Sequence, residues 1–352
     1  MGRLIDGEWL RDVSNDERED YDYQPTELRN EVGTDRHPAD PERYHLYVSR
    51  ACPWAHGTLL VRRLLGLDDA IGISVVDPHR RDDGWEFTPE KPGCTPDRLH
   101  GHDYLREVYT EADPDYTGRV SVPVLWDERA GTIVNEESDE IMRTLADAFA
   151  DYRGADLYPE DSREEIDEVI GELYRPLNRG VYAAGFAGTQ SEYEAAVERV
   201  FDALDRWDEH LSDRRYLVGD RLPLADLRLF PTLVRFDAVY HTHFKCNVRR
   251  LVDYPNLRAY ARDLYQTGGV AERSEATENE RTGSVRQEGA SREATRGSGV
   301  AETVNLDHVK EHYYRSHGDL NPTGFVPVGP DVDFDAPHDR AELPGQPPAV
   351  RS

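Results

Sequence analysis

Tyr44-His-Leu-Tyr-Val48, then Ser49-Arg-Ala51, then Cys52-Pro-Trp-Ala-His56 is the stretch whose reading decides the fold. The first five residues form a strand-like run, and the apolar spacing from about Pro53 to Leu65 predicts a helix. Cys52 therefore stands at a strand-to-helix junction. The first N–H groups of a helix have no partner inside it, and together with the helix dipole they favour a thiolate over a thiol. Pro53 suits the first helical turn, where its missing N–H costs nothing. Ala55 occupies the place where a dithiol motif carries its second cysteine. The implied chemistry is monothiol: Cys52 attacks a sulfur, and an outside thiol resolves the mixed disulfide. The competing reading is a buried structural cysteine.

Working outward, strands are predicted at Ile71–Val76, Val120–Leu125 and Thr132–Val134, and a helix from about Ser138. This is βαβ followed by ββα, the order of a thioredoxin-like domain over residues 43–150. The connection from Asp77 to Arg119 is long, carries Gly, Pro and a helix-like run near Tyr104–Glu111, and is of the kind that is more often functional than idle. From Asp161 onward the chain reads as helices. Glu164–Tyr174, Ser191–Leu211, Ala225–Tyr240 and Pro255–Tyr265 carry apolar residues at three- and four-residue spacing, which predicts an all-helical domain over 151–330. Residues 1–42 read as an extended arm and 331–352 as a tail. The fold class is thus α/β plus all-α. Gly269-Val-Ala-Glu272 recurs as Gly299-Val-Ala-Glu302, and the stretch between is rich in Ser, Thr, Arg, Glu and Gly. Such a composition buries too little surface to offset its ordering entropy, which predicts a disordered insertion at 273–302 whose removal would rejoin Glu272 to Thr303. A partner-binding segment is the alternative.

The chain has 352 residues, enough for about two domains, with 70 acidic against 42 basic side chains and a net charge of −28. Only Lys91, Lys245 and Lys310 are lysines. No basic stripe exists to neutralise phosphates, so a nucleic-acid partner is excluded. An acid-rich, lysine-poor surface suits concentrated intracellular salt, where carboxylates stay hydrated and their repulsion is screened, and this reads as a halophilic adaptation. Cys52, Cys94 and Cys246 lie in separate contexts and make no disulfide framework. With no signal peptide or membrane-spanning apolar run, the expectation is a cytoplasmic protein in a reducing compartment, without a membrane partner.

Val122-Pro123 interrupts an apolar strand, and a cis peptide is the expected solution. It would turn the Val122 backbone towards Cys52, ready to pair with an extended cysteinyl peptide. Ser138 is a candidate N-cap, and its hydroxyl with the free N–H groups would form a carboxylate site. Glu137 adds the negative charge an α-ammonium wants, so the pair suits a γ-glutamyl group, although taken alone simple capping explains it better. His241-x-His243-x-x-Cys246 and His308-x-x-x-His312 have the look of metal ligands, but a zinc site needs four converging groups, and hydrogen bonding and pocket lining explain them better. No metal is expected.

Tyr44-His-Leu-Tyr-Val-Ser-Arg-Ala-Cys-Pro-Trp-Ala-His56, Val75-Val-Asp-Pro78 with Gly84-Trp85, Leu105-Arg-Glu-Val-Tyr109, Val122-Pro-Val-Leu-Trp-Asp127 and Arg228-Leu-Phe-Pro-Thr-Leu-Val-Arg-Phe-Asp237 resemble the glutathionyl-hydroquinone reductases, the Xi class of the glutathione-transferase superfamily. His241-Thr-His-Phe-Lys-Cys-Asn247, Asp307-His-Val-Lys-Glu-His-Tyr-Tyr314 and Asn321-Pro-Thr-Gly324 extend the resemblance over roughly 40–330. It implies a thioredoxin-like domain followed by the helical glutathione-transferase domain, and reduction of S-glutathionyl-hydroquinones to hydroquinones through a Cys52 mixed disulfide. It further implies Cys52 as catalytic cysteine, Trp85 packing beside the thiol peptide, and Val122, Pro123, Glu137 and Ser138 holding it. Tyr174 and Tyr313 match tyrosines of the hydroquinone pocket and serve as proton-donor candidates, with Tyr182 and Tyr314 as neighbouring alternatives. A homodimer through the helical domain is implied. The thiol co-substrate is glutathione or, given the acidic composition, γ-glutamylcysteine, which shares the recognised parts. A general thiol transferase or dehydroascorbate reductase, or a non-catalytic interaction module of the same fold, are the competing readings. Two departures stand out. Pro223-Leu-Ala-Asp226 lacks the hydroxyl of the superfamily's usual capping box, which predicts a loss of about 1 kcal/mol, and Cys94 matches no family function.

Overall fold

The computed structural model describes residues 2–11, 26–152, 155–268 and 299–347. Strands β3 (Tyr44–Val48), β4 (Ile71–Val75), β5 (Val124–Asp127) and β6 (Thr132–Asn135) form a sheet in the order β4-β3-β5-β6. The β3 and β4 pair is parallel, bridged by α1 (Pro53–Leu64), while β3 with β5 and β5 with β6 are antiparallel. Every residue of β3 and β5 is buried, which explains their mostly apolar character, and the two polar members are partnered, His45 with Ser74 and Asp127 with Arg43. The predicted strand at Val120–Leu125 is displaced: ladder pairing starts only at Val124, because Pro123 has no N–H to give a neighbouring strand. Helix α2 (Leu105–Ala112) lies in the long connection, and α3 (Ser138–Ala148) packs on α1. At Gly57 a Cβ would stand 2.6 Å from Met142 Sδ, so the missing side chain sets how closely α1 and α3 approach.

The described part of the N-terminal arm includes a small hairpin, β1 (Arg3–Ile5) with β2 (Glu8–Leu10), joined to the body where Leu4 pairs with Gly118. Residues 12–25 lie outside the described part.

The helical half consists of α4 (Arg163–Leu173), α5 (Gly180–Gly185), α6 (Gln190–His210), α7 (Leu224–Arg235), α8 (Pro255–Tyr265) and α9 (Leu306–Ser316). Two predicted helices end differently from their periodicity. Tyr174–Asn178 and Phe236–Tyr240 are wide π-type turns that follow α4 and α7; one extra residue in a turn leaves the apolar spacing almost unchanged. Helix α6 carries a full capping box, Thr189 with Glu192. Helix α7 does not: Pro223 is its N-cap and makes no side-chain cap bond. Asp226 instead accepts from Tyr260 Oη at 2.6 Å and from the Leu217 N–H at 3.3 Å, fully buried.

The tail is strapped to this half through Phe334 and through Arg340, whose guanidinium donates to the carbonyls of Leu211, Arg214 and Arg215. Most of the predicted insertion lies outside the described residues. Its last four residues, however, are described, and two of them are buried: Gly299 pairs with Gly268, Val300 N–H donates to Thr267 O at 3.0 Å, and Val300 is 1% exposed. Because Gly-Val-Ala-Glu is repeated, removing 269–298 yields the same chain as removing 273–302. The second copy of the repeat contributes Val300 to the core.

Candidate active site

Cys52 is the N-cap of α1 (φ −72°, ψ 124°) and 8% exposed. Its thiol donates to Val122 O at 3.5 Å, and the Val122–Pro123 peptide is cis. Burial pushes the Cys52 thiol above its ordinary value, against the opposing pull of the Ala55 and Trp54 N–H groups and of the Arg235 and Arg80 charges. The helix-start N–H groups thus act in the expected direction, towards the thiolate, and desolvation opposes them.

Trp85 is 4% exposed, with its ring stacked on His312 (centroids 5.3 Å, 20°) and 5.5 Å from the guanidinium of Arg80, whose charge acts on Cys52. Its Nε1 is buried without a hydrogen-bond partner among the described residues. The hairpin steadies the loop that carries it, since Trp9 Nε1 donates to Asp82 O at 3.1 Å. Lys91 ties the same connection to α9 through Asp77 (2.6 Å) and Glu311 (3.0 Å). Cys94, whose thiol donates to Val76 O, belongs to this connection and not to the site.

Glu137 and Ser138 stand at the start of α3, but Glu137, not Ser138, is the N-cap, and neither side chain caps. Asn135 Oδ1 takes the Glu137 N–H at 2.7 Å, so the chain turns one residue earlier than the Ser138 reading requires. The Ser138 hydroxyl accepts from Arg228 Nη1 at 3.3 Å, and that guanidinium also pairs with Asp139 at 2.9 Å and lies 4.5 Å from the Trp54 ring.

On the helical side the tyrosines separate into groups. The hydroxyls of Tyr182 and Tyr313 share a short hydrogen bond, and Tyr240 Oη lies 3.1 Å from Tyr313 Oη. Burial raises the pKa of all three phenols, and the proximity of Cys52 raises Tyr182 and Tyr240 further. They remain protonated donors. Tyr182 stacks on Trp54 (6.2 Å, 24°), and Tyr174 tilts against Trp54 at 6.1 Å, its hydroxyl accepting from Arg179. Tyr314 is apart: its hydroxyl donates to Ala238 O and its ring faces His243.

The suspected metal ligands are occupied otherwise. His308 and His312 bond the Pro92 and Pro78 carbonyls at 2.8 Å, and His243 pairs with His317 at 3.1 Å. Among the described residues no group of three or more His, Cys, Asp or Glu side chains converges as a metal site would need. Burial lowers the His312 pKa to about 3 and that of His243 to about 4, so both rings are neutral. No described helix is long and apolar enough to cross a membrane.

Sequence reasoning missed Tyr240, Arg228, Arg235 and His56. The available signal was in α7, where two arginines seven positions apart share one face of an otherwise apolar helix.

The model of the glutathione S-transferase N-terminal domain matches residues 51–148, and that of the C-terminal domain residues 190–263. The glutathionyl-hydroquinone reductase YqjG of Escherichia coli is 43% identical, covering 97% of this chain and 98% of its own. PcpF of Sphingobium chlorophenolicum, a protein of the same name, is 47% identical over 94% of this chain and 96% of its own. Among solved structures, a Xi class transferase from Natrialba magadii superposes with a TM-score of 0.84 at 50% identity, covering 98% of both chains. YqjG with bound glutathione gives 0.80 at 42% identity, over 97% of this chain and 99% of its own. With its cysteine at the head of α1, its tyrosines on the helical side and this likeness along nearly its whole length, the chain belongs to the glutathionyl-hydroquinone reductase family, the Xi class of glutathione transferases.

Proposed function

We infer that this protein reduces S-glutathionyl-hydroquinones, or their γ-glutamylcysteinyl counterparts, to hydroquinones, with Cys52 as nucleophile. The observation that carries the reading is Cys52 at the head of α1, its thiol on the Val122 carbonyl and near enough to Tyr182 and Tyr240 to act on their phenols, to which Tyr313 is hydrogen-bonded.

A bare aryl carbanion is too poor a leaving group, so the ring must first accept a proton. Tyr313 or Tyr182 gives its proton to the ring carbon that bears sulfur, and a ring hydroxyl returns one, leaving the keto tautomer. Cys52 thiolate then attacks the peptide sulfur. The carbon–sulfur bond breaks, its electron pair restores the aromatic ring, and Cys52 is left disulfide-bonded to the thiol peptide. A second thiol attacks that disulfide, releasing the oxidised thiol and the Cys52 thiolate. In total, one conjugate and one thiol become one hydroquinone and one disulfide.

Val122 and Pro123 support the cysteinyl backbone, Glu137 and Ser138 the γ-glutamyl group, and Trp85 the peptide's flank. Tyr174 and Tyr182 with Trp54 supply aromatic faces for the ring. Recognition directed at the γ-glutamyl and cysteinyl parts accepts γ-glutamylcysteine as readily as glutathione, and the net charge of −28 argues for work in concentrated salt. Family membership carries two further proposals, a homodimer through the helical domain and a cytoplasmic location.

Cys52→Ser tests the core of this reading. It is expected to abolish turnover of glutathionyl-hydroquinone and the mass of the thiol adduct on the protein. Retained turnover would remove Cys52 from the nucleophile role, and strict dependence on the glycine of glutathione would rule out γ-glutamylcysteine.

A further inference from the structure

Arg235, the last residue of α7, is 1% exposed. Its Nε donates to Ala51 O at 3.0 Å, Nη1 to Pro231 O and His56 Nδ1 at 2.9 Å each, and Nη2 to Arg50 O at 3.1 Å. All four acceptors are neutral. Two other arginines offer a contrast: buried Arg215 is held by both oxygens of Asp263, and part-buried Arg43 by Asp127, whereas Arg340, like Arg235, donates to backbone carbonyls. Among the described residues no carboxylate pairs with Arg235. A desolvated cation left without an anion is costly unless an anion arrives.

His56 cannot supply that anion or share the charge. Because a guanidinium only donates, Nδ1 of His56 must be the acceptor and Nε2 carries the proton. That proton goes to Thr303 Oγ1 at 2.8 Å, and Thr303 in turn donates to Val300 O at 2.7 Å. Burial, reinforced by the nearby Arg235, keeps the imidazole neutral. The chain of bonds from α7 to the packed copy of the repeat is thus one-directional, and it leaves the positive charge beside the two residues that precede Cys52.

We propose that Arg235 is the positioning residue that prepares Cys52 as nucleophile, its charge held in reserve for the anion that Cys52 becomes. Through Arg50 and Ala51 it fixes the loop before the cysteine, and through His56 it fixes the first turn after it. The inference rests on Cys52 being the nucleophile. The other groups that face Cys52 are the Trp54 and Ala55 N–H groups of α1, the Val122 carbonyl before β5, Arg80 from the connection after β4, Tyr182 of α5 and Tyr240 from the turn after α7. Of these only Arg80 is also a cation, and its guanidinium lies over the Trp85 ring.

The test is the pH dependence of Cys52 alkylation by iodoacetamide, read by peptide mass spectrometry in a Cys94→Ser/Cys246→Ser background. Arg235→Gln is expected to lower the reactive thiolate fraction at pH 7 at least about tenfold, equivalent to one pH unit in the midpoint. Arg235→Lys, which keeps the charge but not the four-way clamp, is expected to hold the midpoint while kcat for the conjugate falls. A folded Arg235→Gln protein with the wild-type alkylation profile overturns the proposal. If Arg235→Gln does not fold, Arg235→Lys decides: a tenfold loss of thiolate there would mean that the charge is not what matters. Because alkylation needs no substrate, retained turnover in Cys52→Ser would refute the nucleophile reading while this profile still judged Arg235.

Discussion

Asp226 is buried in the helical half, and burial raises its pKa to about 8, against opposing bonds from Tyr260 Oη and the Leu217 N–H. In the unfolded chain the same carboxyl titrates near 3.9. The sign follows directly: the native state binds this proton more tightly than the unfolded one, so the contribution of Asp226 to stability is greatest below pH 4 and is lost as pH rises towards 8. Each pH unit in that window removes up to about 1.4 kcal/mol, or about 4 kcal/mol between pH 5 and pH 8. Asp226→Asn keeps a carbonyl oxygen to accept from Tyr260 and has nothing to titrate. Urea unfolding at fixed salt, followed by tryptophan fluorescence at pH 5, 6.5 and 8, should show wild type losing stability relative to Asp226→Asn over this range. The many surface carboxylates change equally in both proteins and drop out of the difference. If the two stability curves run parallel across the window, the burial argument fails, and Asp226 is held as an ordinary carboxylate by its hydrogen bonds.

The site makes further predictions. Tyr313→Phe should lower kcat for glutathionyl-hydroquinone by about 10²- to 10⁴-fold, the range of a lost proton donor. Tyr314→Phe should change it little, because that hydroxyl is spent on Ala238 O; equal losses in steady-state assays of both variants would refute the division of the tyrosines. Deleting residues 269–298 should leave the unfolding transition and turnover unchanged, since Gly268 and Gly299 already lie side by side. A drop in either would give the insertion a role. At Gly185 a Cβ would stand 2.2 Å from the Phe244 ring, which stacks on Tyr240 at 5.6 Å. Gly185→Ala should therefore destabilise the protein by about 1–3 kcal/mol and disturb the phenol cluster, raising KM for the conjugate more than for a free thiol; an unchanged KM and thermal midpoint would contradict that packing.

How much of this was legible in the sequence depended on whether a feature was local. The run from Tyr44 to His56 announced its strand, its junction and its helix because each rests on neighbouring residues. Pro123 gave away the irregular entry to β5 but not the residue where pairing starts, which depends on what stands opposite. The π-type turns after α4 and α7 left no trace, since one extra residue barely alters apolar spacing. Ser138 was read as a cap from its type alone, and the structure placed the turn one residue earlier because Asn135 captured the Glu137 N–H. Tyr182, Tyr240 and Tyr313 are brought together from three separate elements, and no spacing rule links them. Arg235 was quoted within a family-like run and passed over, since its meaning lies entirely in what surrounds it: carbonyls, a neutral imidazole and a thiol.

The same arginines resolve a tension in the charge. A chain of net charge −28 should repel an anionic thiol conjugate, yet Arg80, Arg228 and Arg235 gather around Trp85, Ser138 and the Cys52 loop. Surface repulsion and buried attraction respond differently to salt. At about 1 M the screening length is only about 3 Å, which extinguishes the field of exposed carboxylates. Arg228 and Arg235 are 4% and 1% exposed and act through direct contacts that mobile ions do not reach. Rising salt therefore strips away the repulsion and leaves these buried contacts standing. The acidic surface and the buried arginines are then compatible parts of one protein: salt screens the field of the first and does not reach the contacts of the second.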